Sequence, residues 1–345
     1  MGHRAGVTPT DLDRGDDELS WPTSIHAARR FIMRAVPDSS PIDLAGNESQ
    51  PRARADEPPV LNAPNVIEGR KLQAIRVAPS RGAKLESQFA GFLDGVQDVR
   101  IVNHSHGVPI VWATVSAAIR VRHNRRLTTW EKRAPAVSRR YYLPLRYLDD
   151  INPALRDDPR VVDTAETDAS GKFPSRHPAA LLDCAIQKVQ RDREDLEQSL
   201  AEAWCIEESE PLYVDGSIAA SAITAESPVT IGVVKSHRTL YAEGDAFRVV
   251  VGLESGERSS VFRVSSQRRH AVASWYVRLR GASGRDALFG LVRVEAAESA
   301  DLTARADEIS RWIIAEGAPL ALPDGRWDKM TYGIRDTEEF LRAIS

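Results

Sequence analysis

The feature that most constrains this chain is an arrangement that occurs twice. Phe89-Ala-Gly-Phe-Leu-Asp94-Gly95 and Leu212-Tyr-Val-Asp215-Gly216-Ser217 each run apolar into an aspartate and then a glycine. Such a run reads as a buried strand, and the glycine allows a tight turn or a close approach of a ligand to the backbone. Each strand is therefore expected to deliver a carboxylate to a sheet edge. Two such acids brought side by side can hold a divalent cation, so the remaining sequence reads as the scaffold that joins Asp94 to Asp215.

The first aspartate opens what reads as an antiparallel meander. Strands are predicted at Phe89–Asp94, Val99–Asn103 and Ile110–Val121, with His104-Ser-His106-Gly107 reversing the chain between the last two. The His-x-His pair has the composition of a metal site, but no third ligand stands near it and it reads as a solvated turn. Residues 124–177 hold turn formers, proline and mixed charge around a short apolar segment at Tyr141–Leu148, and read as an insertion or lid. Pro178–Trp204 is the clearest helix, because Leu182, Ile186, Val189, Leu196, Leu200 and Trp204 recur at helical spacing.

That helix leads into the Asp215 strand. Further strands are expected at Ile231–Val234, Phe247–Leu253, Ser274–Leu279 and Leu288–Glu295, followed by a helix over Ala300–Ala315. A last helix, capped by Asp336 or Thr337, is expected to run through Leu341 with Glu338 and Glu339 in its first turn. The fold class is α/β, with a meander and further strands in one mixed sheet flanked by helices.

Composition sets the outer bounds. At 345 residues, 42% hydrophobic and 28% charged, the chain suits one large globular domain or two smaller ones. Residues 1–80, rich in Asp, Arg, Pro and Ser, are expected to be an N-terminal extension, largely disordered or loosely packed. Its one amphipathic candidate, Ser24–Val36, reads as packed on its own domain. Residues 81–345 form the main domain. A formal net charge of -3 gives no global basic field, although Arg139-Arg140 and Arg268-Arg269 are local basic patches. Cys184 and Cys205 lie too far apart along one helix to pair, which points to a reducing compartment. No run approaches the roughly 20 apolar residues of a membrane span, so a cytoplasmic location and no membrane partner are expected.

Five segments taken in order, Phe-Leu-Asp94-Gly, Tyr-Val-Asp215-Gly-Ser, Ile-Gly-Val-Val-Lys235-Ser-His237, Ser274-Trp-Tyr-Val-Arg278-Leu and Val292-Arg-Val-Glu295, resemble the NurA nuclease family in a long form with an N-terminal extension. The likeness covers roughly residue 89 to the C-terminus. It implies a ribonuclease H-like core and a Mn²⁺- or Mg²⁺-dependent DNA nuclease working by a two-metal carboxylate mechanism. It also implies a homodimer beside a HerA-type hexameric ATPase, in DNA end processing or antiviral defence. Asp94 and Asp215 would bridge the cations.

The family carries a third acid on the helix before the second aspartate strand. Glu197 is the choice here, since at 100° per residue it flanks the apolar stripe whereas Glu194 lies further toward solvent. Lys235 follows four apolar residues and can meet a scissile phosphate, with His237 on the same side if the strand continues; Lys235 also reads as a surface lysine past a strand end. Glu295 reads either as a further metal ligand or as the ion-pair partner of Arg293. Trp275 and Tyr276 read as core packing. The chain departs from the family at its end: compact members place a histidine by the metal site, yet none follows His270, and the stretch reads Asp328-Lys-Met-Thr-Tyr-Gly-Ile334. Either His237 replaces it or the chain is a non-catalytic module of the same fold that binds DNA and the ATPase ring.

Overall fold

Among the described residues the first elements are short strands: β1 (Val60–Leu61), β2 (Asn65–Val66) and β3 (Ala74–Arg76). Then come the long β4 (Gly91–Ser105) and β5 (Val108–His123), followed by β6 (Arg126–Thr129), β7 (Ala136–Leu143) and β8 (Val161–Asp163). Helix α1 (Pro178–Glu207) precedes β9 (Leu212–Val214), α2 (Ala222–Glu226), β10 (Thr230–Val234), β11 (Thr239–Leu240) and α3 (Asp245–Val251). The chain closes with β12 (Glu257–Ser259), β13 (Phe262–Ser266), β14 (Arg269–Arg278), β15 (Leu291–Ala296), α4 (Leu302–Glu316) and α5 (Tyr332–Ile344). This computed structural model describes residues 58–77, 85–105, 107–124, 126–148, 156–167, 170–267, 269–317 and 327–345, without the side chains of 100–105 and 110. The Ser24–Val36 segment, the His104 side chain, His106 and Arg268 lie outside that description. All the elements named belong to one unit formed by residues 48–282 and 287–345.

Among the described residues thirteen strands join one mixed sheet, whose main path runs β2-β13-β14-β15-β10-β9-β4-β5-β7-β8. At its centre β9 is parallel to both β4 and β10, while β5 is antiparallel to β4 and β7 antiparallel to β5. The expected α/β class and mixed sheet are observed. So is the long helix, whose Pro178 sits at the first turn where its missing N–H costs nothing.

Four local readings are corrected. The strands expected at Phe89–Asp94 and Val99–Asn103 are one strand, β4, because Asp94-Gly95 is not a turn: Gly95 pairs with Ala117 and the ladder continues. The supposed insertion contributes β7, which pairs with β5 over seven residues as the third strand of the meander. Its Arg139-Arg140 pair hid the alternation. The Phe247–Leu253 run is helical, α3, despite its β-branched residues, with Gly244 at φ 61° turning the chain into it and Asp245 favouring its N-terminus. The 1–80 boundary also moves, since β2 pairs β13 and β3 pairs β12, while Glu68 forms an ion pair with the fully buried Arg258. A buried guanidinium must be paired, so residues 58–77 are part of the domain.

The last helix starts at Tyr332 after Thr331, about one and a half turns earlier than expected. Asp336, Thr337 and Glu338 therefore lie inside α5 rather than at its cap, which bears directly on the site.

Candidate metal centre

Strand register brings the two aspartates together. In the parallel pairing of β4 with β9, Phe92 lies beside Tyr213 and Leu93 beside Val214. The Asp215 N–H then donates to the Leu93 carbonyl at 3.0 Å. One residue further, Asp94 and Asp215 stand abreast on one face, as the period-two alternation of strands requires. Asp215 lies just past the end of β9, as expected; Asp94 sits within β4. Gly216 follows at φ 148°, a conformation that lets the chain leave the sheet at once.

The third acid comes from the C-terminal helix. Helix α5 lies across β4 and β5, with Gly333 so close to the Phe92 ring that a Cβ there would fall 2.3 Å from it. Arg120 anchors the same helix by donating to Asp336 at 2.9 Å. One carboxylate oxygen from each of Asp94, Asp215 and Glu338 lies within 4.8 Å of the others. Sequence reasoning missed Glu338 because it began the helix too late. Beginning at Thr331, Ile334, Glu338 and Leu341 fall at i, i+4 and i+7, and a charged residue in an otherwise buried stripe was the signal.

The donor set fits a divalent cation. Asp94 is 5% exposed; its Oδ1 accepts from the Gly95 N–H at 2.8 Å, while its buried Oδ2 has no hydrogen-bond partner. An unpaired buried carboxylate oxygen is costly, and a cation is the simplest way to compensate it. Burial, and then the neighbouring Asp215 charge, hold the Asp94 carboxyl well above its usual range; Lys235 opposes this, while Glu197 and Glu338 add to it. The Lys235 ammonium donates to Asp215 Oδ2 at 2.7 Å.

Glu197 occupies the opposite face of the sheet at the same level. Its carboxylate rests on Gly95, where an added Cβ would meet Glu197 Oε1 at 2.3 Å, so glycine is required for close approach rather than for a turn. Arg193 pairs with it one helical turn away. Burial, partly offset by Arg193, raises its carboxyl to about 7, with Asp215 contributing. Glu194 is exposed, in keeping with the preference for Glu197.

The other expected site residues lie elsewhere. His237 does not share the Lys235 side, because β10 ends at Val234. Its Nε2 lies 2.7 Å from the Leu291 carbonyl and its Nδ1 is buried without a partner. Burial, with Lys329 and two arginines nearby, pushes it down to about 3. Glu295 is held by Arg293 Nη1 at 2.6 Å, the Ser217 hydroxyl at 2.7 Å and the Ile218 N–H at 3.0 Å, the ion-pair alternative of the two. Trp275 and Tyr276 are fully buried; the indole N–H donates to Ser310 and the Tyr276 hydroxyl accepts from the Tyr241 N–H. Cys184 and Cys205 are in no disulfide. Among the described residues no helix is long and apolar enough to cross a membrane.

No family model matches this chain, and no curated protein matches it.

Proposed function

We propose that this chain is a divalent-metal-dependent DNA nuclease of the NurA type, hydrolysing phosphodiester bonds at Asp94, Asp215 and Glu338 with Mn²⁺ or Mg²⁺. The observation that carries this reading is the convergence of three carboxylates, one of which, Asp94, has a buried oxygen, Oδ2, without a donor. The central strand order β7-β5-β4-β9-β10, with its directions, agrees with a ribonuclease H-like core bearing both aspartates on adjacent parallel strands. Glu338 follows the Asp328–Ile334 stretch by one helical turn, and in this reading takes the role of the absent C-terminal histidine.

The bound cation supplies a Lewis acid for the phosphate and lowers the pKa of an attacking water. Asp94, Asp215 and Glu338 offer the oxygen ligands that a hard cation prefers. Lys235 holds Asp215 through its hydrogen bond and places a positive charge beside the carboxylates, where a phosphate bound to the cation would meet it. DNA as substrate, the homodimer and the HerA-type hexameric ATPase come from the resemblance. With a formal charge of -3, a lone chain has little long-range pull on a polyanion, so a channel built with partners is the expected setting.

One observation favours the second reading, a non-catalytic module that binds DNA and the ATPase ring. The side chains of Lys235 and Asp215 are only 6% and 11% exposed, leaving little open surface for a phosphodiester. Purified full-length protein incubated with linear DNA separates the two. Mn²⁺-dependent cleavage that disappears in Asp215→Asn, with unchanged thermal melting in the absence of metal, supports the nuclease. Binding of DNA and ring without cleavage, unaltered by Asp94→Ala, supports the module.

A further inference from the structure

We infer that the centre takes one divalent cation, and that the Lys235 ammonium occupies the place a second cation would need. The inference rests on the metal-dependent reading and deepens it. A second ion would lie about 3.5–4 Å from the first and share a bridging carboxylate with it. The carboxylate placed to bridge is Asp215, midway between Asp94 on β4 and the chain leaving β10, and its Oδ2 is already taken by Lys235 Nζ at 2.7 Å. The lysine side chain is 6% exposed and so is not a mobile surface group.

Charge leads to the same conclusion. Asp94, Asp215 and Glu338 meet on one face of the sheet with Glu197 on the other, and Lys235 is paired with Asp215, the half-buried Arg193 with Glu197 and the exposed Arg342 with Glu338. A single dication already more than balances the one formal negative charge that these pairs leave. A second would leave the buried centre still more positive, at the cost that isolated charge carries in a dry interior. Geometry adds a further obstacle. Glu197 approaches Gly95 from the face opposite Asp94 and is held there by Arg193, so the acid that would complete a second coordination shell is on the wrong side of the backbone. Asp94 Oδ2, the oxygen with no donor, is left as the ligand for the single ion.

The test is the stoichiometry of Mn²⁺ bound to the full chain, measured by calorimetric titration and by the electron paramagnetic resonance of the bound ion, neither of which requires turnover. The wild type is expected to take one Mn²⁺ per chain with the spectrum of an isolated ion. Asp94→Asn should lose it. Lys235→Ala should admit a second Mn²⁺ and show spin coupling between the pair, while Lys235→Arg, which keeps the charge, should hold the count at one. Circular dichroism checks that each variant is folded. Two coupled ions in the wild type would overturn the inference and leave the nuclease reading standing. No Mn²⁺ bound at all would overturn both, and a Lys235→Ala protein still limited to one ion would remove the lysine from its assigned role.

Discussion

Two buried carboxylate centres lie on this sheet, one on β15 and the other across β4 and the end of β9, and they differ in what is left unpaired. Around Glu295 every oxygen is engaged: Arg293 neutralises one, and the Ser217 hydroxyl and Ile218 N–H donate to the other. Arg293 is held in turn by the Ser274 hydroxyl at 3.1 Å. Around Asp94 the Lys235 ammonium pairs with Asp215 and the exposed Arg342 with Glu338, and one buried oxygen of Asp94 has no donor. Both motifs look alike in sequence, an apolar run ending in an acid. The first centre is complete without a ligand and serves stability, whereas the second keeps a buried oxygen free to take one. Unsatisfied bonding capacity, rather than burial or residue type, distinguishes them.

The sharpest way to break the contrast is through activity. Asp94→Asn should reduce Mn²⁺-dependent cleavage by about 10⁴-fold or more, roughly 5 kcal/mol of barrier, in a single-turnover assay. The same change should leave metal-free melting equal or slightly raised, because it removes like-charge repulsion; a large drop in melting would mean that Asp94 is structural, like Glu295. The mirror experiment is Arg293→Ala, which strands a buried Glu295 and should cost about 3–5 kcal/mol in urea unfolding. A loss under 1 kcal/mol would show that the second centre is not the satisfied network described.

A smaller effect separates the centres by pH. Glu197 has a folded-state pKa of about 7, above its ordinary value of 4.5, and Asp94 is raised in the same direction. A raised carboxyl pKa means that the folded form holds its proton more tightly than the unfolded chain. The stability this contributes is fully present below about pH 4.5 and is lost as pH rises through about 7, by on the order of 2–3 kcal/mol for Glu197. Metal-free protein should therefore melt lower at pH 8 than at pH 5.5, and saturating Mn²⁺ at about 100 times its Kd should restore roughly 2.7 kcal/mol at the higher pH. The Glu295 centre should show no metal response. Gly95→Ala should cost about 1–3 kcal/mol by forcing Glu197 off the backbone. Glu194→Gln, on the exposed side of α1, should change stability by less than about 0.5 kcal/mol and leave Mn²⁺ binding intact.

The sequence by itself determined the elements whose signals are local. The apolar stripe of α1, the two aspartate runs, and the preference for Glu197 over Glu194 are written in residue spacing, which the period of a helix or strand converts directly into a face. It could not determine what depends on distant partners. The β-branched Phe247–Val251 run became helix because flanking glycines and its surroundings outweighed a weak strand propensity. Gly95 looked like a turn because nothing nearby in sequence shows that a carboxylate from α1 must press on its Cα. Asp94 and Asp215 were recognisable as a pair, yet only the parallel register of β4 with β9 put them abreast. The third acid was tertiary information throughout: Glu338 lies 123 positions beyond Asp215 in the chain and reaches it because Gly333 lets α5 settle against Phe92. Local periodicity decides which face a residue takes; which faces then meet is decided by packing across the whole chain, where the energy of burying an unpaired charge depends on every group that arrives beside it.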